Sequence, residues 1–136
     1  VGIAAAPDFT ERLREQRLQA QQLAQLAATG FCDMPNRYDD GEPYRISQYL
    51  LDESRQHLLL NDKISLTVPA RLIHGQRDED VPWQDALRIA EQLQSVNVEI
   101  QLVKSGDHRM SQPQDIKRLL HTIGKLRQSI VHDDSL

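Results

Sequence analysis

Two short loops hold the residues that could do chemistry. His74 to Pro82 reads HGQRDEDVP, and Ser105 to Ser111 reads SGDHRMS. The first follows an apolar run, Leu72-Ile73, and the second an alternating segment, Val98 to Val103. A carboxylate and an imidazole at such positions suit general-base catalysis. A histidine that removes a proton must present one ring nitrogen to the nucleophile. A carboxylate on the other nitrogen fixes the tautomer and stabilises the imidazolium. The two need not be close in sequence. Asp78 is the candidate acid and His108 the candidate base. If their strands are neighbours in a parallel sheet, both loops lie beyond the same edge, where open α/β sheets bind ligands. Gly75 and Gly106 let the chain leave each strand sharply, where a side chain would clash.

Other groups compete for these roles. Asp80 lies two residues beyond Asp78, and its position near a helix start suits a cap favoured by the helix dipole. His74 ends a strand and reads as a packed or backbone-bonded histidine. His57, His121 and His132 lack any motif and read as surface residues. Cys32 sits in a turn-rich connector and reads as a small buried side chain, not a nucleophile. Val81, Trp83, Arg109, Met110 and Tyr38 are the candidate substrate contacts. Ordinary packing suits Trp83, Tyr38 and Tyr44 as well as an acyl pocket does, and solvent exposure suits Arg109 equally. Asp39-Asp40 and Asp133-Asp134 are most simply solvated. Metal-ligand spacing, a Gly-rich phosphate loop and an aromatic-basic surface are all missing from the sequence.

The elements that must position Asp78 and His108 follow from the pattern. Val1 to Ala6 predicts a short buried strand, ended by Pro7. Asp8 opens a helix, with capping-box spacing to Glu11 and Thr10 as a second cap candidate. Leu13, Leu18, Leu23, Leu26 and Ala27 form its rough stripe, and Gly30 stops it. Phe31 to Ser47 is rich in turn residues. Ser47 caps a second helix carrying Tyr49, Leu50 and Leu51. His57 to Pro69 is a connector with apolar anchors. Ala70 to His74 predicts a fully buried strand. A helix starts at Pro82 or Trp83, with Ala86, Leu87, Ile89, Ala90 and Leu93 inward. Val98 to Val103 alternates as a strand does. Ser111 caps a final helix carrying Ile116, Leu119, Leu120, Ile123 and Leu126, and the tail frays. Strand–helix–strand–helix order predicts parallel strands with right-handed crossovers.

The chain has 136 residues, enough for one modest domain with one core. A net charge of -4 gives no basic face for nucleic acid or anionic lipid, so neither is an expected partner. The apolar runs are only a few residues long, too short to span a membrane. The single cysteine forbids an intramolecular disulfide and points to a reducing compartment, read here as the cytoplasm. The sequence opens at Val1, in what reads as mid-strand, which predicts a longer polypeptide.

HGQRDEDVP resembles the acid loop of the α/β-hydrolases, and SGDHRMS resembles their histidine loop. The resemblance covers Val1 to about Arg127. It implies an α/β fold, the C-terminal part of an α/β-hydrolase, with parallel strands, flanking helices and a helical cap or connecting segment. Residues 1–7 would be a core strand, residues 8–67 the cap, residues 68–127 the strand–helix–strand–helix core, and residues 128–136 a tail. MPNRYDDGEPYRIS with GDHRMS is most similar to the small bacterial and mitochondrial esterases related to mammalian abhydrolase-domain protein 10. That group is linked to depalmitoylation and ester hydrolysis. Carried over, Asp78 matches the triad acid and His108 the triad base. The substrate implied is a small ester or acyl thioester, and no cofactor is required. The family's nucleophile sits in G-x-S-x-G, which does not occur here, and it precedes the acid and the histidine in chain order. The nucleophile and the oxyanion hole therefore belong to a missing N-terminal half, and the chain alone is expected to be inactive. Two other readings stay open. One is the C-terminal segment of a prolyl-oligopeptidase-like serine peptidase, which would need a large upstream domain. The other is a truncated, non-catalytic hydrolase serving as an interaction module, which predicts no nucleophile elbow upstream.

Overall fold

The computed structural model describes residues 1–36 and 41–133. The chain folds as two compact units, Val1–Ala6 with Leu60–Leu136, and Pro7–Leu59.

The first unit is built on a parallel sheet of β1 (Gly2–Ile3), β4 (Ala70–Gly75) and β5 (Val98–Val103), in the order β1-β4-β5. The loops of Asp78 and His108 therefore leave adjacent strands at the same edge. Arg71 to Gly75 are all buried, as expected of a central strand covered on both faces. β1 is shorter than its apolar run predicts. The backbone of Ala4 turns out of the strand with φ 45°, a left-handed conformation that costs alanine about 1 kcal/mol. Ala4 still donates its N–H to Ile73 at 3.0 Å, so the turn begins while the chain is tied to β4.

Helix α4 (Gln84–Gln92) is the crossover from β4 to β5, and α5 (Pro113–Asp133) follows β5. Leu60, Leu72, Ala86 and Ile89 form the core, with Ala5, Ile64, Ala90, Leu93 and Ile100 packed against them. Leu60 and Ile64 are the anchors of the connector, and Ile64 makes a parallel bridge with Leu93. They draw the connector into this unit from Leu60 onward, whereas the sequence placed the boundary after Thr67.

Two helical faces differ from expectation. Leu87 is exposed on α4, which packs through Ala86 and Ile89. On α5 the inward row is Asp115, Leu119, Thr122 and Leu126, and Thr122 accepts a hydrogen bond from Gln101 Nε2 at 3.0 Å. Ile116, Leu120 and Ile123 form an exposed row instead. The helix begins with Pro113 in its first turn, where the missing N–H costs nothing, and it runs on into the segment expected as a tail. No helix among the described residues is long and apolar enough to cross a membrane.

The second unit, Pro7–Leu59, has its own core of Leu13, Leu18, Leu26, Cys32 and Leu51. The single helix expected here is broken into α1 (Phe9–Arg12), a π-helical turn (Leu13–Arg17) and α2 (Ala20–Thr29). Leu13 and Leu18 are five apart and would point about 140° from each other on an α-helix. The wider turn, closed by Leu18 N–H to Leu13 O at 3.0 Å, lets both enter the core. Asp8 does not cap α1 through its side chain. Its Oδ1 accepts the N–H of Leu59 at 2.8 Å, and Glu11 pairs with Arg55 at 3.1 Å. Gly30 does end α2, with φ 77°. The turn-rich stretch carries a hairpin of β2 (Phe31–Met34) and β3 (Tyr44–Ser47). Ser47 caps α3 (Gln48–Glu53) by accepting the Leu50 N–H at 3.0 Å.

Candidate active site

The two loops touch through their backbones first. Gln76 N–H donates to Val103 O at 2.9 Å, and Arg77 N–H donates to Gly106 O at 2.9 Å. A Cβ on Gly75 would collide with the carbonyl groups of Gly106 and Asp107. A Cβ on Gly106 would meet Met110 Sδ and the backbone of Gly75. The glycines are thus required for close approach of one loop to the other, and not for a left-handed backbone, which neither adopts.

This approach brings the Asp78 carboxyl to the ring of His108, 30 residues on, with Oδ2 2.9 Å from Nδ1. The Asp78 side chain is fully shielded from solvent, while 34% of the His108 side chain is exposed. Oδ1 of Asp78 accepts the N–H of Asp80 at 2.9 Å and of Val81 at 2.8 Å. Burial pushes the Asp78 carboxyl up. The Val81 N–H, the His108 side chain and the Asp80 N–H outweigh it, and the carboxyl lies below its ordinary value. An ionised carboxylate only accepts, so Nδ1 of His108 carries the proton. Nε2, on the far side of the ring, then holds the lone pair that a general base needs.

His74 joins the cluster. Its ring is 1% exposed, and Nε2 lies 3.0 Å from Val81 O and 3.2 Å from Asp78 Oδ2. Sequence reasoning anticipated the backbone bond and missed the carboxylate. The only signal was the four-residue spacing to Asp78, which a loop does not turn into a contact by any simple periodicity.

The remaining candidates are scattered. Val81 is buried and ties its loop through its peptide group, and Met110 is buried beside Gly106. Met110 has φ 46°, held by its N–H to Asp107 Oδ1 at 2.9 Å. Trp83 is half-buried at the start of α4, and Arg109 is exposed. Tyr38 and the Asp39-Asp40 pair lie outside the described residues. Asp80 is not the helix cap expected. Trp83 occupies that position, without a side-chain cap, because α4 starts only at Gln84. The Asp80 carboxyl lies with Asp78 and His108 in a group whose ligand atoms fall within 4.8 Å of one another. Cys32 belongs to β2 rather than to a bare connector. It is buried there, and burial pushes its thiol up, with Asp33 adding to the effect. A raised thiol is a poor nucleophile. Tyr44 is 52% exposed on the hairpin.

Residues 14–128 match the prolyl oligopeptidase family. The mitochondrial palmitoyl-protein thioesterase ABHD10 of mouse is 36% identical over 93% of this chain, and the human protein of that name is 32% identical. Among solved structures, a hydrolase from Agrobacterium vitis S4 superposes with a TM-score of 0.85 at 36% identity, over 91% of this chain and 47% of its own. The mouse α/β hydrolase domain-containing protein 10 superposes at 0.81 and 35% identity, over 95% of this chain and 51% of its own. The chain spans only 42% of the mouse thioesterase's length. The curated relatives are mitochondrial by name, which overturns the cytoplasmic location expected from the cysteine count. One free thiol speaks for a reducing environment and cannot say which compartment provides it.

Proposed function

Since the chain belongs to the prolyl oligopeptidase family, an α/β-hydrolase family, we propose that it supplies the acid and base of a serine hydrolase acting on carboxylic esters or thioesters. The observation that carries this reading is the 2.9 Å contact between a buried Asp78 side chain and a partly exposed His108. The nucleophile would be a serine in the part of the protein outside this chain. His108 Nε2 would take the serine proton as the hydroxyl attacks the acyl carbon. Asp78 would stabilise the imidazolium that forms, and His108 would return the proton to the leaving alcohol or thiol. The acyl-serine would then be cleaved by water, activated by the same nitrogen. Oxyanion donors would also come from outside the chain. Val81, Trp83, Arg109 and Met110 are the proposed substrate contacts on this side, Val81 and Met110 as walls behind the acid and base. Between the two substrate classes, an acyl thioester is favoured by the palmitoyl-protein thioesterase relatives.

A serine-directed fluorophosphonate tests this reading. The full-length protein should take one label, on a serine outside these 136 residues, and the isolated chain should take none and hydrolyse no ester. Labelling of a residue within the chain, or none on the full-length protein, contradicts the reading. The family match keeps a peptidase activity in view, so labelled protein should be assayed on acyl thioesters and on peptide amides side by side. Faster turnover of the peptide would move the assignment to the peptidases.

A further inference from the structure

We infer that His74 is a positioning residue for the proposed acid, a second imidazole that locks the Asp78 carboxylate for His108. The inference rests on the assignment of Asp78 and His108 as acid and base.

His74 is the largest fully buried side chain of the described residues. A dry imidazole is costly unless its polar atoms are bonded, and a leucine would fill the space without that cost. Its Nε2 faces two oxygens, Val81 O at 3.0 Å and Asp78 Oδ2 at 3.2 Å. A carbonyl and an ionised carboxylate can both only accept. Nε2 therefore carries a proton, donates it to Val81 O, and leaves the N–H edge of the ring facing the Asp78 carboxylate. Oδ1 of Asp78 receives the N–H groups of Asp80 and Val81, Oδ2 receives His108 Nδ1, and the His74 ring lies against Oδ2 at 3.2 Å. Val81 is held at both ends of its peptide links, its N–H by Asp78 and its C=O by His74. The ring on β4 thus closes the acid loop over the strand from which the loop departs. Without it, the Val81 carbonyl would lose its donor, the acid loop would loosen, and the N–H groups that fix Oδ1 of Asp78 would shift with the loop. The imidazole that the carboxylate orients would shift in turn.

The test uses the full-length protein that carries this chain and a short-chain acyl thioester. His74→Leu should lower kcat about 10- to 100-fold with KM unchanged, the scale expected when a reacting group is displaced by about 1 Å. His74→Gln places an amide N–H near the same acceptors and should recover most of the loss. The low-field proton on His108 Nδ1 should move in His74→Leu and return in His74→Gln. A folded His74→Leu protein with normal kcat and an unmoved proton overturns the inference. If neither variant folds, nitrogen-15 shifts of the wild-type ring decide: a proton on Nε2 supports the inference, and a proton on Nδ1 alone overturns it. Asp78→Asn is measured in parallel. Loss of turnover there beside a normal His74→Leu removes the role of His74 only, whereas normal turnover in Asp78→Asn removes the hydrolase assignment as well.

Discussion

Asp78 is a buried carboxyl that stays charged because its donors outweigh its burial. Its folded-state value lies below the unfolded one, about 3.9, so the native state binds fewer protons near that pH. The stabilisation is fully present above about pH 4 and is lost as pH falls through the lower, folded value. The melting temperatures of wild type and Asp78→Asn should therefore differ most near neutrality and converge below about pH 4. A gap that stays constant or widens in acid would show that the charge on Asp78 is not stabilised by the fold. The pairing of Asp78 with His108 was legible from loop composition, because each loop left a predicted strand and the two matched an acid loop and a histidine loop, even though Asp80 and His74 stood beside them as competitors. The place of Asp80 was not. Its reading as a cap assumed a helix starting at Pro82 or Trp83, and the helix starts at Gln84. That leaves the Asp80 N–H to be used by Asp78. The carboxylate contact of His74 depends on how the loop folds back over the strand, which no local pattern encodes.

At the level of elements, the meeting of acid and base depends on two loops pressed together at glycines. Gly75 is the more demanding position, because the atoms its Cβ would meet are backbone, whereas the nearest neighbour of Gly106 is a flexible methionine sulfur. Gly75→Ala should cost about 3 kcal/mol or more in urea unfolding of the full-length protein, and should separate Asp78 from His108. Gly106→Ala should be milder. Equal and small effects would mean that the loops are not in close contact. The strands of the first unit were readable from their apolar content: Arg71 to Gly75 are uniformly buried, whereas the alternation of Val98 to Val103 marked a strand but not its burial, since Ile100 and Gln101 are both half-buried and Leu102 is exposed. Elements were misread where polar residues decide the packing. The inward row of α5 contains Asp115 and Thr122, so counting apolar residues selected Ile116, Leu120 and Ile123, which lie outside. The β2–β3 hairpin was hidden for a similar reason, its strands being only four residues each and mixed in polarity. The π-helical turn follows from a five-residue leucine spacing that was visible in the sequence and fits no α-helical stripe.

For the whole molecule, the family and the fold were recoverable from the two loop motifs. The cellular location was not, since it is carried by no residue of the folded core. The chain covers 47% of the Agrobacterium hydrolase and 51% of the mouse protein, in each case with close superposition. The described residues hold a proposed acid, a proposed base and a buried ring that supports them, all within the unit of Val1–Ala6 and Leu60–Leu136. What the proposal demands of the remaining protein is equally definite: one serine hydroxyl and the N–H groups that receive an oxyanion. The most direct measurement is steady-state hydrolysis of an acyl thioester by the full-length protein and by its Asp78→Asn and His108→Ala variants, with folding checked by circular dichroism. Both variants should remain folded and lose about 10⁴-fold in kcat. A folded variant of either kind that hydrolyses the thioester at the wild-type rate would contradict the account.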